Sequence, residues 1–263
     1  MHARPVIALL TDFGTSDHYV GVMKGVIAGL CPDAVVIDIT HDIPPQDIRS
    51  AAFALSAAWT YFPPASIFVV VVDPGVGTSR PAVAARVGSA MFVGPDNGVF
   101  DLVLAAHPLS MAVTLENPRY ARSHISETFE GRDRFAPAAA WLARGIALGE
   151  LGSTASLSVR LDWPLPRVHT DRVVGQIVHV DRFGNLVTNL ERTPWAPLLE
   201  KADIWVAGHG PIRTVRTYGD AAPASVIALF GSTDRLEVAV AGGNAAATLN
   251  VARGAEVHVV WPA

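Results

Sequence analysis

A single cysteine, Cys31, in 263 residues leaves nothing for an internal disulfide or a thiolate metal cluster, and suits a reducing cytoplasm. Leu30 and Pro32 place it at a helix end, as a buried and inert thiol. No apolar run approaches the ~20 residues that cross a bilayer, so no membrane partner is expected. The run Val6-Ile7-Ala8-Leu9-Leu10 leads straight into Thr11-Asp12-Phe13-Gly14, a first strand meeting its loop with no signal-peptide cleavage site. A cytoplasmic location is therefore expected. Charged residues make up only 17% of the chain and the formal net charge is −4. With no basic patch, nucleic acid is excluded as the main partner. Familiar site motifs are also missing. Gly75-Val76-Gly77 lacks the third glycine of a dinucleotide fingerprint, because Arg80 holds that place. There is no phosphate loop, no nucleophile elbow and no His-Glu-x-x-His zinc helix. Internal repeats and low-complexity tracts are absent as well.

What is present is a half-apolar chain of 27.8 kDa, long enough for one large domain or two unequal ones. Its most informative stretch is Val69-Val70-Val71-Val72-Asp73-Pro74-Gly75-Val76-Gly77-Thr78-Ser79-Arg80. Four β-branched residues in a row read as a strand buried on both faces of a parallel sheet. That strand stops at a carboxylate, a proline and two glycines, where open α/β sheets hold their ligands. Arg80 follows on the same loop, within reach of Asp73. The pair reads either as a reaction centre or as a salt bridge pinning a turn.

Up to about residue 150, strands alternate with helices. Strands are expected at 5–10, 34–39, 69–72, 91–93 and 111–115. Helices are expected at about 47–59, 99–106 and 132–144, with Pro137 tolerable only in a first turn. A helix carrying Tyr19, Met23, Val26 and Leu30 on one face joins the first two strands. This rhythm predicts an α/β domain over 1–162, with a mostly parallel sheet. Pro164-Leu165-Pro166 reads as a stiff linker. Beyond it, short strands at 173–180, 186–190, 204–207, 226–230, 236–240 and 257–261 predict a small antiparallel, barrel-like or sandwich domain over 168–263.

Asp12, His41 with Asp42, Asp73, and Asp96 with Asn97 each follow a strand, so all point to one sheet edge. Such carboxylates suit a hard cation as in a magnesium phosphohydrolase, but Arg80 would repel one. A second polar stretch runs from Thr128 through Phe129, Glu130, Gly131, Arg132, Asp133 and Arg134 to Pro137. Gly131 allows close approach there and Asp133 reads as a helix cap. In the third, 180–189, a hairpin turns on a left-handed Gly184, with Phe183 offered for stacking and Asp181 and Asn185 as polar handles.

Together these segments resemble the S-adenosyl-L-methionine (SAM) hydroxide adenosyltransferase family, the SAM hydrolases related to fluorinase and chlorinase. The likeness rests on Leu10-Thr11-Asp12-Phe13-Gly14, His41-Asp42-Ile43-Pro44-Pro45-Gln46-Asp47, Val72-Asp73-Pro74-Gly75-Val76-Gly77, Gly94-Pro95-Asp96-Asn97-Gly98, residues 128–137, Phe183-Gly184-Asn185 and Phe230-Gly231-Ser232. It implies an α/β domain followed by a β-barrel, a homotrimer with sites between neighbouring subunits, and metal-independent hydrolysis of SAM to adenosine and L-methionine. No cofactor is implied, since SAM is the substrate. By the same resemblance Asp12 holds the ribose hydroxyls, while Thr128 and Phe129 line the sulfonium and ribose. Asp181 takes the methionine ammonium, Phe183 and Asn185 contact adenosine, and Ser232, Glu237 and the Val240 backbone complete the far side. Asp73, where the halogenating relatives have tyrosine, and Gln46, where they have tryptophan, put the chain on the water-using branch. A catalytic trio of aspartate, arginine and histidine is matched by Asp73 and Arg80, but the histidine is Glu130 here, a carboxylate that either accepts the proton in its place or clamps Arg80. Ala241 replaces a usual asparagine, with Asn244 nearby. A SAM-dependent halogenase and a non-catalytic adenosine or SAM binder are the alternative readings.

Overall fold

The computed structural model of the chain describes residues 4–199 and 202–261. The chain divides after Leu161 into two compact units.

The first unit is an α/β layer structure. Its elements are β1 (Val6–Thr11), α1 (Tyr19–Leu30), β2 (Val35–Thr40), α2 (Ile48–Ala58), β3 (Ile67–Val71), β4 (Ala82–Val87), β5 (Ala90–Pro95), α3 (Asp101–Ala106), β6 (Leu109–Thr114) and α4 (Ala136–Ala143). The sheet order is β2-β1-β3-β5-β4-β6. Strand β1 pairs in parallel with β2 and β3, and β3 with β5, whereas β4 runs antiparallel to β5 and β6. Alternate residues go to opposite faces. Ile7, Leu9, Val69 and Val71 pack with Met23 and Ile27 of α1 and with α4. Ala8, Leu10, Phe68 and Val70 pack with Ala51 and Leu55 of α2 and Val103 of α3. Both faces being covered, every residue of β3 is buried, as the valine run predicts.

Three details differ from the sequence reading. Strand β4, Ala-Val-Ala-Ala-Arg-Val, was not expected; alanine is a poor strand former and hides the signal. The face α1 buries is Val20, Met23 and Ile27, not the set led by Tyr19. Valine or isoleucine stands on both sides of this glycine-rich helix, so periodicity alone does not choose between them. The helix expected over 132–144 begins as a π-turn, Gly131–Phe135, in which the Ala136 N–H reaches the Gly131 carbonyl. Pro137, which has no N–H, follows where the ladder tightens to four-residue spacing.

The second unit is a barrel of β8 (Arg172–Val180), β9 (Leu186–Glu191), β10 (Asp203–Val206), β11 (His209–Thr214), β12 (Val226–Phe230), β13 (Arg235–Val240) and β14 (Glu256–Val260), with β7 (Arg167–Val168) added outside on β8. Pairing of β14 with both β10 and β8 closes the seven-stranded ring. Its neighbours are antiparallel except β11 and β12. Strand β11 was not expected, because its His-Gly-Pro start carries two residues that strands avoid. Val173, Ile177, Leu186, Leu190, Leu236, Val238, Val257 and Val259 fill the interior.

Candidate active site

Four parallel strands, β1, β2, β3 and β5, bring their carboxyl ends to one edge, and the polar groups expected there lie on it. Most of them are already committed to the scaffold. The buried His41 bonds Thr11 Oγ1 through Nδ1 at 2.8 Å and faces Asp38 Oδ1 through Nε2 at 3.0 Å. Asp96 accepts from the N–H and hydroxyl of Ser158, and Asn97 donates to the Val72 carbonyl at 2.9 Å. Asp12 Oδ2 accepts the Gln46 N–H at 2.7 Å, holding Gln46 in a left-handed conformation (φ 67°).

Asp73 is different. It stands two residues past β3, and its side chain is only 5% exposed beside that of Arg80, at 10%. Arg80 Nε donates to Asp73 Oδ1 at 3.0 Å, and Nη2 donates to Oδ2. The same Nη2 donates to Glu130 Oε2, and Glu130 Oε1 faces Arg134 Nε at 3.0 Å. Two carboxylates and two guanidinium groups thus alternate in a mostly buried row. Burial lowers the Arg80 pKa, but the hydrogen bond and charge of Asp73, then those of Glu130, outweigh it and hold the guanidinium above its usual range. Its carbon also sits 5.6 Å from the centre of the Phe135 ring.

Two loops are pressed together to make this row. At Gly77 (φ +76°) a Cβ would lie 2.6 Å from the Glu127 carbonyl oxygen, so glycine is required both for the turn and for the contact. Gly131 lets the π-turn lie against Met23, Phe129 and Val71. The buried Phe129 packs edge-on against Tyr19 and Phe13, while Thr128 beside it is exposed. Asp133 does not cap a helix, contrary to the sequence reading. It is fully buried, accepts the Ser126 N–H at 2.9 Å, and pairs with Arg132 and Arg122. It pins the loop that carries Thr128 and Phe129.

In the barrel, Asp181 opens the turn between β8 and β9. Its carboxylate accepts from the Phe183 and Asn185 N–H groups at 2.9 and 2.8 Å and from Asn185 Nδ2 at 2.9 Å. The positive φ of Gly184 (84°) forms that turn, and Phe183 projects from it, 74% exposed. Glu237 of β13 is buried, accepts from the Tyr218 hydroxyl, and faces Gly231, where a Cβ would collide with its carboxylate. Burial pushes the Glu237 pKa up, the Tyr218 bond pulls it down, and the Asp181 charge pushes it up again; the net direction is upward. Burial, then the bond and charge of Glu237, raise the Tyr218 hydroxyl too, which keeps it a donor. Asp181, Asn185 and Glu237 therefore share one neighbourhood. Ser232 is exposed in the turn before β13, and Val240 ends that strand, so the two lie at opposite ends of it.

The sequence matches the SAM hydroxide adenosyltransferase N-terminal domain over residues 7–152 and the C-terminal domain of the same name over residues 175–258. The chain belongs to the SAM hydroxide adenosyltransferase family. An (R)-S-adenosyl-L-methionine hydrolase of Salinispora arenicola is 40% identical over 98% of this chain and 99% of its own length. A fluorinase of an Actinoplanes species is 30% identical over 77% of this chain and 76% of its own. The crystal structure of an uncharacterized conserved protein from Thermotoga maritima superimposes with a TM-score of 0.92 at 35% identity, covering 97% of this chain and 99% of that one.

The two departures that the resemblance implies have visible consequences. Glu130, where the resemblance implies a histidine, bonds the arginine that Asp73 also bonds. Asn244 uses its Oδ1 to cap the helix Ala245–Leu249, accepting the Ala247 N–H at 2.8 Å, so that oxygen is not free to stand in for the asparagine that the resemblance implies at Ala241. Two residues at these sites were not anticipated. Arg134 stands four residues beyond Glu130 on one helical face, a spacing that does signal an ion pair. Tyr218 is far from Glu237 in sequence, and nothing local announces it.

Proposed function

We propose that this chain hydrolyses (R)-S-adenosyl-L-methionine to adenosine and L-methionine by in-line attack of water on C5′. The observation that carries the reading is the buried Asp73–Arg80–Glu130 cluster at the mouth of the sheet, in a chain whose full-length relative bears that activity in its name. The new O–C5′ bond forms as the C5′–S bond breaks, and its electron pair neutralises the sulfonium. The water's proton passes to Asp73. The leaving group is a neutral thioether, so no acid is required, and alignment of one water within ~3–3.5 Å of carbon supplies several kcal/mol. As the nucleophile takes on hydroxide character, its charge and that of the sulfonium cancel, so a site that excludes bulk water accelerates the step. The low exposure of Asp73 and Arg80 supports this.

Asp12 would hold the ribose hydroxyls through Oδ1, since Oδ2 already accepts from Gln46. Phe129 and Thr128 would border ribose and sulfonium, with Gln46 close to Asp12. The acidic neighbourhood of Asp181 and Glu237 suits the methionine ammonium. Asn185, Phe183, Ser232 and the Val240 backbone would contact adenosine and the far side. In this reading the first unit activates the nucleophile and the barrel completes the binding site in a cytoplasmic homotrimer. No metal or cofactor takes part.

Turnover in heavy-oxygen water with a chelator present, followed by mass spectrometry, tests the reading. Label in the 5′-hydroxyl of adenosine is expected, with the R sulfonium epimer consumed and the S epimer spared. Chloride-dependent 5′-chloro-5′-deoxyadenosine would make the protein a halogenase, and tight binding without turnover a binder. Either result overturns the proposal.

A further inference from the structure

The row of charges at the candidate active site does not end with the trio, and its fourth member has a role of its own. Glu130 shares Arg80 with Asp73 through Oε2, and Arg134 Nε stands 3.0 Å from its other oxygen, Oε1. Arg134 is itself fixed, because its Nη1 donates to the Leu115 carbonyl at 2.9 Å. Both Glu130 oxygens therefore face guanidinium groups from two different elements, the loop after β3 and the π-turn. Oε2 accepts a hydrogen bond from Arg80, whereas the Arg134 Nε–H is not aligned on Oε1 and meets it as an ion pair alone, so the second guanidinium holds this carboxylate by charge. Asp73 shares one guanidinium; Glu130 is held by two.

We infer that Arg134 is a positioning residue that fixes Glu130 as a strut for Arg80. This rests on the hydrolase reading above and assigns the two carboxylates different work. The acid that occupies the family's histidine position is a clamp, and the arginine four residues later is what makes it one. The charges alternate as Asp73, Arg80, Glu130 and Arg134, so the row is neutral in sum. It also stays ordered without borrowing a charge from the substrate.

A kinetic double-mutant cycle on the full-length protein tests this, with adenosine release from SAM as the readout. Arg134→Met is expected to lower kcat about ten-fold with KM within two-fold, because the loss concerns alignment during reaction and not binding. Arg134→Lys, which restores the cation, should recover most of the loss. Glu130→Gln together with Arg134→Met should be no slower than Glu130→Gln alone, since both act through one contact. In the reciprocal arm, Glu130→His puts an imidazole between two guanidinium groups, and adding Arg134→Leu should raise its kcat about ten-fold. Equal kcat for Arg134→Met and the parent protein, fully multiplying losses in the cycle, or no rescue by lysine would each overturn the inference. A merely structural arginine would lower thermal stability without this coupling. An inactive parent protein sinks the hydrolase reading and this inference together; an active parent with an indifferent Arg134 sinks only the latter.

Discussion

Asp73 and Glu237 are both buried carboxylates, but their partners differ. Asp73 lies against a guanidinium with which it shares two hydrogen bonds. Replacing it by asparagine keeps the shape and removes the proton acceptor. Asp73→Asn should lower kcat by at least ~10²-fold, while SAM binding measured by calorimetry changes little. Glu237 has a tyrosine hydroxyl for a partner and the Asp181 charge close by, and its pKa is raised chiefly by burial. A carboxyl group with a raised folded-state pKa stabilises the fold below its unfolded value, near 4.5, and that contribution is lost as pH climbs through the folded value. Glu237→Gln, which still accepts from Tyr218, should therefore melt at a higher temperature than the parent at neutral pH. The two should converge below about pH 4, with substrate affinity reduced throughout. Asp73 and Arg80 were legible in the sequence because a strand, a Gly/Pro turn and two opposite charges fall within eight residues. The sharing of Arg80 with Glu130, fifty residues away, is legible only through the family resemblance and not through spacing, because the fold alone closes that distance.

At the scale of elements, the site depends on two loops meeting. Gly77 is where they touch, with a left-handed backbone and a carbonyl where a methyl group would go. Gly77→Ala should leave the circular dichroism spectrum native, displace the Asp73–Arg80 loop, and cost at least ten-fold in kcat/KM. Strain of ~1–2 kcal/mol from the positive φ alone makes relaxation in place unfavourable. The parallel strands could be read from their β-branched runs, and so could the shared edge to which they deliver polar residues. Strands β4 and β11 could not, because alanine in one and Gly-Pro in the other erase the local preference, and their pairing partners create them. The π-turn was equally silent. It places Glu130 and Arg134 on the same side of the chain while Asp133 points inward to pin the preceding loop.

For the molecule as a whole, two units of different architecture carry complementary halves of the proposed chemistry, base and guanidinium in one, ammonium-binding acids in the other. The homotrimer proposed above predicts a particle of three 27.8 kDa chains by light scattering at micromolar concentration. A monomer retaining full activity would rule it out. The division into an α/β half and an all-β half was readable from the change in rhythm after Pro164, since short strands at regular spacing need no helices between them. Strand rhythm left barrel and sandwich both open and the resemblance supplied the barrel, because closure depends on a pairing between β8 and β14 that are some eighty residues apart in the chain.

That long-range seam makes the tail of the protein behave like the last stave of a cask. The segment Glu256–Val260 has neighbours on both flanks, one from early in the second unit and one from its middle. Trimming it away would not shorten the hoop but spring it open, baring two raw rims of backbone along a greasy lining. A chain clipped there is expected to precipitate instead of losing activity by degrees.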